Sequence, residues 1–497
     1  MIEPQAGQLD LHTMLQRSVQ RHKTAIRRAD LSRPIRLAME HGFLNPVNTL
    51  FDYGCGHGDD VSRLTQQGID ASGWDPIHFA ENQRRPADVV NLGYVVNVIE
   101  NPAERASVLR DAWTFAQKLL IVSARLSVEA KNGAWSSPYA DGYVTSRGTF
   151  QKFYDQHELS QWIDEVLGLQ SLAVAPGIFY VFRDDDLRQS FAASRYRRTV
   201  VVPRQKYSDV IFERHRDLFN PLVAFVAERG RLPDDSELET VLALREQFGS
   251  LKRAFAIIRL ATGTEQWDRI REERSQDLLI YLALSRFGKR PRFSELPNDQ
   301  RLDIRAFFSN YRSACERADE LLFSAGKSEV IDAACRSSMV GKQTPDALYF
   351  HLTALPLLPP VLRVYEGCAR AYLGAVEGAN VIKLSRTKAQ VSYLYYPNFD
   401  KDPHPALSAS LVVPLRSFHI RYQEYTDSAN PFILHRKETF VGPDHPLRNK
   451  FARLTAQEER CGLYTNPQTI GTRDGWQQVL DEKGVVSAGH RLLRRKN

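Results

Sequence analysis

The stretch that decides the fold of this 497-residue chain reads Pro46-Val-Asn-Thr-Leu-Phe-Asp-Tyr-Gly-Cys-Gly-His-Gly-Asp-Asp60. Residues 47–52 form a short apolar run that predicts a buried strand, and a helix is predicted from Asp59 to Gln66. Between them stand three glycines at alternate positions: Gly54, Gly56 and Gly58. Glycines let the backbone approach a ligand closely, and a helix N-terminus offers it free N–H groups. The stretch therefore predicts a cofactor cradle, with Asp52 at the carboxyl end of its strand.

The second predicted strand narrows the choice of ligand. It runs from Ile69 to Trp74 and is closed by Asp75. An acid at the end of this strand can accept hydrogen bonds from ribose hydroxyls. Asp-x-Gly-x-Gly-x-Gly followed by such an acid fits S-adenosylmethionine better than a dinucleotide, whose glycines are spaced G-x-G-x-x-G. We therefore expect Asp52, the three glycines and Asp75 to bind S-adenosylmethionine. The alternative is a glycine-rich turn in another kind of α/β domain.

Composition sets broad limits. The 43% apolar and 25% charged residues are typical of a globular protein long enough for several domains. No apolar run has membrane-span length and no signal-peptide pattern opens the chain, so we expect a cytoplasmic protein without membrane contact. Five dispersed cysteines form no C-x-x-C pair, which disfavours a metal site. The net charge of +7 permits a polyanionic partner without proving one.

Pattern divides the chain into four segments. Residues 1–45 predict a basic helical entry segment, with a helix from Ser32 to about His41. Residues 46–185 alternate strands with helices and predict a Rossmann-like α/β methyltransferase domain with a parallel sheet. Residues 186–340 predict a helical region, and residues 341–497 predict an α+β domain.

The α/β domain is predicted to be shortened. Only residues 76–87 separate Asp75 from the next predicted strand, which begins at Asp88. That length barely allows a crossover and leaves no room for the usual third strand, whose end contacts the adenine in many methyltransferases. Farther on, we predict a helix from Phe150 to Leu167 and a last strand from Ile178 to Phe182.

The strand that begins at Asp88 should end beside the methyl acceptor. Amino-methyltransferases of DNA carry Asn/Asp-Pro-Pro-Tyr there, to bind the amino group and stack on an extruded base. This chain reads Asn91-Leu-Gly-Tyr94, with matching ends and without the prolines. Asn91 and Tyr94 are therefore our candidate catalytic residues, and Asn91 is also a candidate cofactor ligand; the alternative is a buried strand end. Cytosine-C5 chemistry is not expected, because the loop has no cysteine.

The helical region contains an internal repeat. Gly230–Leu238 matches Gly288–Leu296, and Phe248–Ala254 matches Phe308–Ala314. Each copy reads as helix, turn, helix, turn and basic helix, which weakly resembles the small repeats appended to some homing endonucleases. The basic residues that we predict to meet DNA phosphates are Lys252, Arg253, Arg259, Arg305 and Arg312. A helical scaffold with solvated basic residues is an equally favoured alternative.

The last segment places acids and histidines close together, at Asp400-Lys-Asp-Pro-His404 and again from His435 to Glu438. Such groups can bind a metal or transfer protons. We favour ordinary turn chemistry, because Asp and Pro favour turns.

Several of these stretches together resemble a known family. They are Leu31–Gly42, Phe51–Asp60, Gly73–Pro76, Ala87–Tyr94 and Ile433–Glu438. Over most of its length the chain is similar to the DNA phosphorothioation-associated methyltransferase family of bacteria. The resemblance implies a cytoplasmic protein linked to DNA modification and restriction, with phosphorothioation or defence proteins as partners.

Three hypotheses follow. The first is an S-adenosylmethionine-dependent methyltransferase acting on DNA in a phosphorothioation-linked modification and antiphage defence system. The second is a catalytically degenerate methyltransferase fold that senses a nucleotide or binds DNA in that system, which the missing strand and prolines favour. The third is a methyltransferase of RNA or of a small molecule.

Overall fold

The computed structural model of the chain describes residues 20–25, 27–28, 30–129, 137–145, 147–198 and 210–495. It divides into two compact units. The first comprises Met1–Asp184 and Tyr372–Glu377, and the second comprises Asp185–Ala371 and Gly378–Asn497. Residues 1–19 of the predicted entry segment lie outside the described residues.

The first unit is built on a six-stranded sheet with the spatial order β2–β1–β3–β4–β9–β8. Its strands, with a small three-stranded sheet formed by β5–β7, are β1 (Leu50–Tyr53), β2 (Ala71–Trp74), β3 (Ala87–Gly93), β4 (Ala116–Ser123), β5 (Ser137–Tyr139), β6 (Gly142–Val144), β7 (Phe150–Gln151), β8 (Leu172–Ala175) and β9 (Ile178–Phe182). The strands β1 to β4 are parallel, as predicted for a Rossmann-like sheet. The sheet is not wholly parallel, because the tight turn at Gly177 makes β8 and β9 an antiparallel hairpin.

The edge position of β2 agrees with the predicted loss of a third strand. Residues 75–86, all of which the structure describes, contain neither a strand nor a helix and lead directly into β3. Nothing in this sheet pairs with the outer side of β2. The strand β1, whose four residues are all buried, therefore lies between β2 and β3.

Local signals set the helices of the first unit, which are α1 (Arg33–Glu40), α2 (Asp59–Gln66), α3 (Pro102–Phe115) and α4 (Gln156–Leu167). The helix α2 begins after Gly58, which takes a left-handed conformation. The Asn101 side chain accepts the Ala103 and Glu104 N–H groups at the start of α3. The prediction of one helix from Phe150 to Leu167 was wrong in its first part. Phe150 begins β7, and α4 starts only after Asp155, whose capping box with Glu158 fixes the helix start.

The second unit begins with helices, namely α5 (Asp185–Ser194), α6 (Val210–Arg214), α7 (Arg216–Arg229), α8 (Val241–Phe248), α9 (Leu251–Thr262), α10 (Thr264–Leu284), α11 (Asn298–Phe307), α12 (Tyr311–Ala325) and α13 (Ser328–Arg336). The repeated sequences have matching turns. Glu237 accepts the Asp234 N–H at 2.8 Å, and the equivalent Glu295 accepts the Arg292 N–H at 2.7 Å. Ser250 likewise caps α9 as Asn310 caps α12.

The rest of the second unit combines a six-stranded antiparallel sheet with further helices. Its elements are β10 (Lys342–Gln343), β11 (Ala347–His351), α14 (Pro360–Leu373), β12 (Val381–Ser385), β13 (Gln390–Tyr395), β14 (Ala409–Pro414), β15 (Arg421–Glu424), α15 (Arg448–Arg460), α16 (Arg473–Glu482), β16 (Val485–Ser487) and β17 (Leu492–Arg494). The helix α14 ends in residues 372–373, which belong to the first unit.

The acids and histidines of this region form internal contacts. The His404 N–H bonds the Asp402 carboxylate at 3.0 Å, which closes the favoured turn. Lys437 is 3% exposed and donates to the Phe399 carbonyl at 2.6 Å. His435 lies 2.6 Å from the Ile470 carbonyl. Within the described ranges, no group of three or more His, Cys, Asp or Glu side chains is arranged to hold a metal ion.

Burial of His435 predicts acid sensitivity. Loss of hydration, with the nearby His404, lowers the pKa of His435 to about 3, against about 6.5 in an unfolded chain. Between these two pKa values, His435 is therefore protonated in the unfolded state and neutral in the folded state. The stabilisation is complete above pH 6.5 and is lost as the pH falls toward 3. One such group contributes a slope of up to about 1.4 kcal/mol per pH unit.

We expect His435→Phe to reduce the pH dependence of the free energy of unfolding between pH 6.5 and 4 by up to that slope. Urea unfolding at several pH values measures it. An unchanged slope in the variant would contradict the assignment of this proton to His435.

Candidate functional site

A cavity of about 1040 Å³ lies in the first unit at the carboxyl ends of β1, β2 and β3. The sequence-predicted residues that line it are Asp52, Gly54, Gly56, Asp75, Asn91 and Tyr94. The cofactor contact predicted for Gly58 stays a prediction. Gly58 does not line the cavity but precedes α2, where its positive φ of 73° lets the chain turn into the helix.

The glycine loop, residues 54–58, is held tightly against its neighbours. The N–H groups of Gly54 and Cys55 both donate to the Trp74 carbonyl, at 2.8 and 3.1 Å. Gly54 has a φ of +83°, and a Cβ placed on it would lie 2.5 Å from a Val95 methyl carbon. The loop therefore requires glycine at this position for both its conformation and its packing.

Asp75 joins the glycine loop to the turn that follows β2. Its Oδ2 accepts the Gly56 N–H at 3.1 Å, and its Oδ1 accepts the N–H groups of Ile77 and His78, both at 2.9 Å. An ionised carboxylate has about four acceptor positions, so a ligand hydroxyl can still bond to it. Asp75 thus has a structural task in addition to the ribose contact that the sequence predicted.

Asp52 lines the cavity and also has a hydrogen-bond partner within the chain. It is 4% exposed, and its Oδ1 accepts a hydrogen bond from the Asn91 side-chain amide at 2.8 Å. Burial, together with the Asp60 carboxylate, raises the pKa of Asp52 to about 7. The Asn91 amide oxygen is buried and has no hydrogen-bond partner among the described residues. Asp52 therefore orients Asn91, which keeps one acceptor available for a ligand.

Tyr94 follows β3 in a conformation that a non-glycine residue rarely adopts. Its φ is +60°, and its N–H donates to the Ser123 carbonyl at 2.9 Å. Burial raises the pKa of its hydroxyl. The guanidinium carbon of Arg28 lies 5.6 Å from the centre of the Tyr94 ring. Such strain is typical of functional sites, and it costs roughly 1–3 kcal/mol.

The entry segment covers one side of this cavity. Asp59 accepts the Arg28 N–H and Asp60 accepts the Ser32 N–H, each at 2.8 Å. These two acids at the start of α2 therefore fix the segment beside the glycine loop. Of the entry segment, the residues that line the cavity mainly precede α1, and Arg33 is the one described residue of that helix among them.

Several basic side chains line the cavity. Those for which the described residues supply no carboxylate partner are Lys23, Arg28, Arg125 and Arg147. Arg33 also lines the cavity and pairs with Glu377 at 2.6 Å. Sequence reasoning missed Arg125 and Arg147, because no motif marks them and the sheet of β5–β7 was not predicted.

The predicted DNA-binding residues do not all line one groove. Lys252 and Arg259 line a groove of about 640 Å³ beside α9 and α10, whereas Arg253, Arg305 and Arg312 do not. Arg259 is paired with Asp268 at 2.9 Å, and Arg312 with Glu316 at 2.9 Å. Lys252, Arg253 and Arg305 are exposed and have no carboxylate partner in the part of the chain that the structure describes.

Searches against known proteins returned solved structures only: no family model and no curated protein matches the chain. One match is a sugar N-methyltransferase from Streptoalloteichus, at 12% identity and TM-score 0.25, over 37% of this chain and 96% of that one. Another is a SAM-dependent methyltransferase from Aquifex aeolicus, at 14% identity and TM-score 0.23, over 33% of this chain and 95% of that one. A third is magnesium protoporphyrin IX methyltransferase from Synechocystis, at 12% identity and TM-score 0.22, over 33% of this chain and 93% of that one. Overlaps this weak carry no argument about activity.

No helix among the described residues has the length and apolar character needed to span a membrane.

The close contact at Gly54 can be tested with a matched pair of variants. Gly68 has a similar φ of +80°, but nothing lies within 4 Å of a Cβ placed on it. We expect Gly68→Ala to cost about 1–2 kcal/mol of unfolding free energy for its left-handed conformation. Gly54→Ala should cost about 1–3 kcal/mol more, because its added Cβ would clash with the rigid, β-branched side chain of Val95. Urea unfolding measures both.

The double variant Gly54→Ala/Val95→Ala, compared with Val95→Ala alone, should recover most of that extra cost. Equal losses for Gly54→Ala and Gly68→Ala would contradict the packing argument.

Proposed function

We propose that the chain is an S-adenosylmethionine-dependent methyltransferase whose active site is the cavity at the ends of β1–β3. The observation that carries the proposal is the Asp75 carboxylate, which binds the glycine loop and the turn after β2 within one cavity. The Asn91 amide oxygen, which is buried and has no partner among the described residues, fits a ligand that donates a hydrogen bond. A volume of about 1040 Å³ is enough for a nucleoside cofactor together with an acceptor.

The residues of the chain have separable roles in this proposal. The glycine loop and the N-terminus of α2 would hold the amino-acid end of the cofactor, and Asp75 would hold its ribose. When bound, S-adenosylmethionine supplies an electrophilic methyl group. Asn91 would accept a hydrogen bond from the substrate that receives the methyl group, and the Tyr94 ring would stack on that substrate. Methyl transfer is an in-line displacement, so the chain contributes mainly positioning and the exclusion of water.

DNA is the acceptor that we propose, within a phosphorothioation-linked modification or defence system. Three observations support it. Asn91 and Tyr94 lie together at the cavity in the order that amino-methyltransferases of DNA use. Basic side chains line the cavity, and Arg125 and Arg147 are among them. The resemblance noted from the sequence also implies DNA as the partner.

Labelled methyl transfer tests the activity. We expect transfer from S-adenosylmethionine to duplex DNA, and we expect Asn91→Ala to lower it roughly 100-fold through lost positioning. Binding of the cofactor by the variant should fall far less. Parallel assays with RNA and with small-molecule extracts include the alternative acceptors. Transfer to those substrates but not to DNA would refute the DNA proposal.

A second candidate function is a nucleotide-binding component without catalysis. The edge position of β2 and the missing prolines between Asn91 and Tyr94 favour it. It predicts cofactor binding without methyl transfer to any acceptor, so the same assay separates the two functions.

The helical repeat is the part that we propose to bind the DNA backbone. On α9, Lys252, Phe255, Ala256, Arg259 and Leu260 follow one helix face and line the groove beside α10. Lys252 and Arg253 are exposed at the start of this helix. Cations without carboxylate partners are free to displace the counterions of a phosphate backbone. Paired Arg259 should contribute less than Lys252.

The salt dependence of DNA binding tests this surface. We expect Lys252→Ala/Arg253→Ala to reduce the slope of log K against log salt by about 2, one for each lost phosphate contact. Lys401→Ala/Arg416→Ala removes the same charge from two exposed positions outside the repeat and should leave the slope unchanged. Equal slopes in the two double variants would refute the repeat as the DNA surface.

A further inference from the structure

The wall of the cavity beyond β2 is a single loop. Because β2 is the edge strand, residues 75–86 are the part of the chain that follows it at that edge. A nucleoside with its ribose on Asp75 must place its base close by, since base and ribose are directly bonded. The base of a cofactor bound as proposed above therefore meets this loop rather than the end of a third strand.

The loop is held in place by hydrogen bonds at several points. Asp75 accepts the N–H groups of Ile77 and His78 at 2.9 Å. The Asn82 side-chain amide donates to the Gly73 carbonyl at 2.8 Å, and the Trp74 indole donates to the Ala80 carbonyl at 3.3 Å. These contacts tie the loop back to β2 at its start and at its far side. The loop can therefore present side chains in fixed positions.

His78 is the side chain of this loop with an unmet hydrogen bond. It lines the cavity, as do its neighbours Pro76 and Ile77. Its Nε2 is buried and has no hydrogen-bond partner among the described residues. The ring of His57 lies against it, with the two ring centres 4.3 Å apart. His57 also lines the cavity and stands between Gly56 and Gly58.

We propose that His78 recognises the adenine of the bound cofactor and takes the place of the missing third strand; this inference rests on the proposed function. The base displaces the His57 ring and packs on Pro76 and Ile77. The His78 imidazole, with its proton on Nδ1, accepts a hydrogen bond from the 6-amino group of adenine at Nε2. Hypoxanthine carries an oxygen at that position and would face Nε2 of the same tautomer with a second acceptor. His78 is thus a specificity-determining residue for the purine.

Calorimetric titration with S-adenosylhomocysteine and S-inosylhomocysteine at pH 8, where histidine is neutral, tests the proposal. We expect the wild type to prefer the adenosine compound by about tenfold, the size of one well-made hydrogen bond. His78→Phe keeps a ring but no nitrogen. This variant and His78→Ala should bind the two compounds with about equal affinity. His157→Ala, at an exposed position on α4, should keep the preference.

The outcomes separate this inference from the proposed function. A wild type that binds both compounds equally, or a His78→Phe variant that keeps the preference, would overturn the role of His78 and leave the proposed cofactor site intact. A wild type that binds neither compound would overturn the proposed function and this inference with it. Unchanged urea midpoints in the variants establish that any effect is not a loss of folding.

Discussion

The site depends on the hydrogen bonds that the Asp75 carboxylate makes with backbone N–H groups from two loops. One of these is the Gly56 N–H, at 3.1 Å, and two come from the turn after β2. Bonds to an ionised acceptor are stronger than neutral ones. The glycine loop also bonds the Trp74 carbonyl at the end of β2, and His57 packs against His78 of the turn. The turn after β2 and the glycine loop are therefore positioned together.

Acidic side chains organise the remaining walls in the same way. Asp59 and Asp60, at the start of α2, accept backbone N–H groups of the entry segment and hold it over the cavity. Asp52 accepts a hydrogen bond from the Asn91 amide, whose oxygen has no partner among the described residues. These walls of the cavity are therefore positioned by hydrogen bonds to acidic side chains.

Much of this arrangement could be predicted where local signals are strong. The helix Asp59–Gln66 and the strand Ile178–Phe182 have the bounds that the sequence predicted. Glycines stand close to both ends of the helix, and the strand consists of five apolar residues. The loss of the third strand followed from the short segment, residues 76–87, between Asp75 and the next predicted strand. Partners distant in sequence could not be predicted. The register that places Asp52 opposite Asn91, and the hydrogen bond between their side chains, follow only from the folded sheet. His78 carries no motif, and only the folded loop reveals its unmet hydrogen bond.

The central claim is that the cavity beside Asp75 holds a sulfonium nucleoside. A crystal structure of the protein grown with S-adenosylhomocysteine tests it most directly. The account predicts ligand density between the glycine loop and Tyr94, with the ribose on Asp75. A saturated crystal with the ligand bound elsewhere, or with this cavity empty, would contradict it.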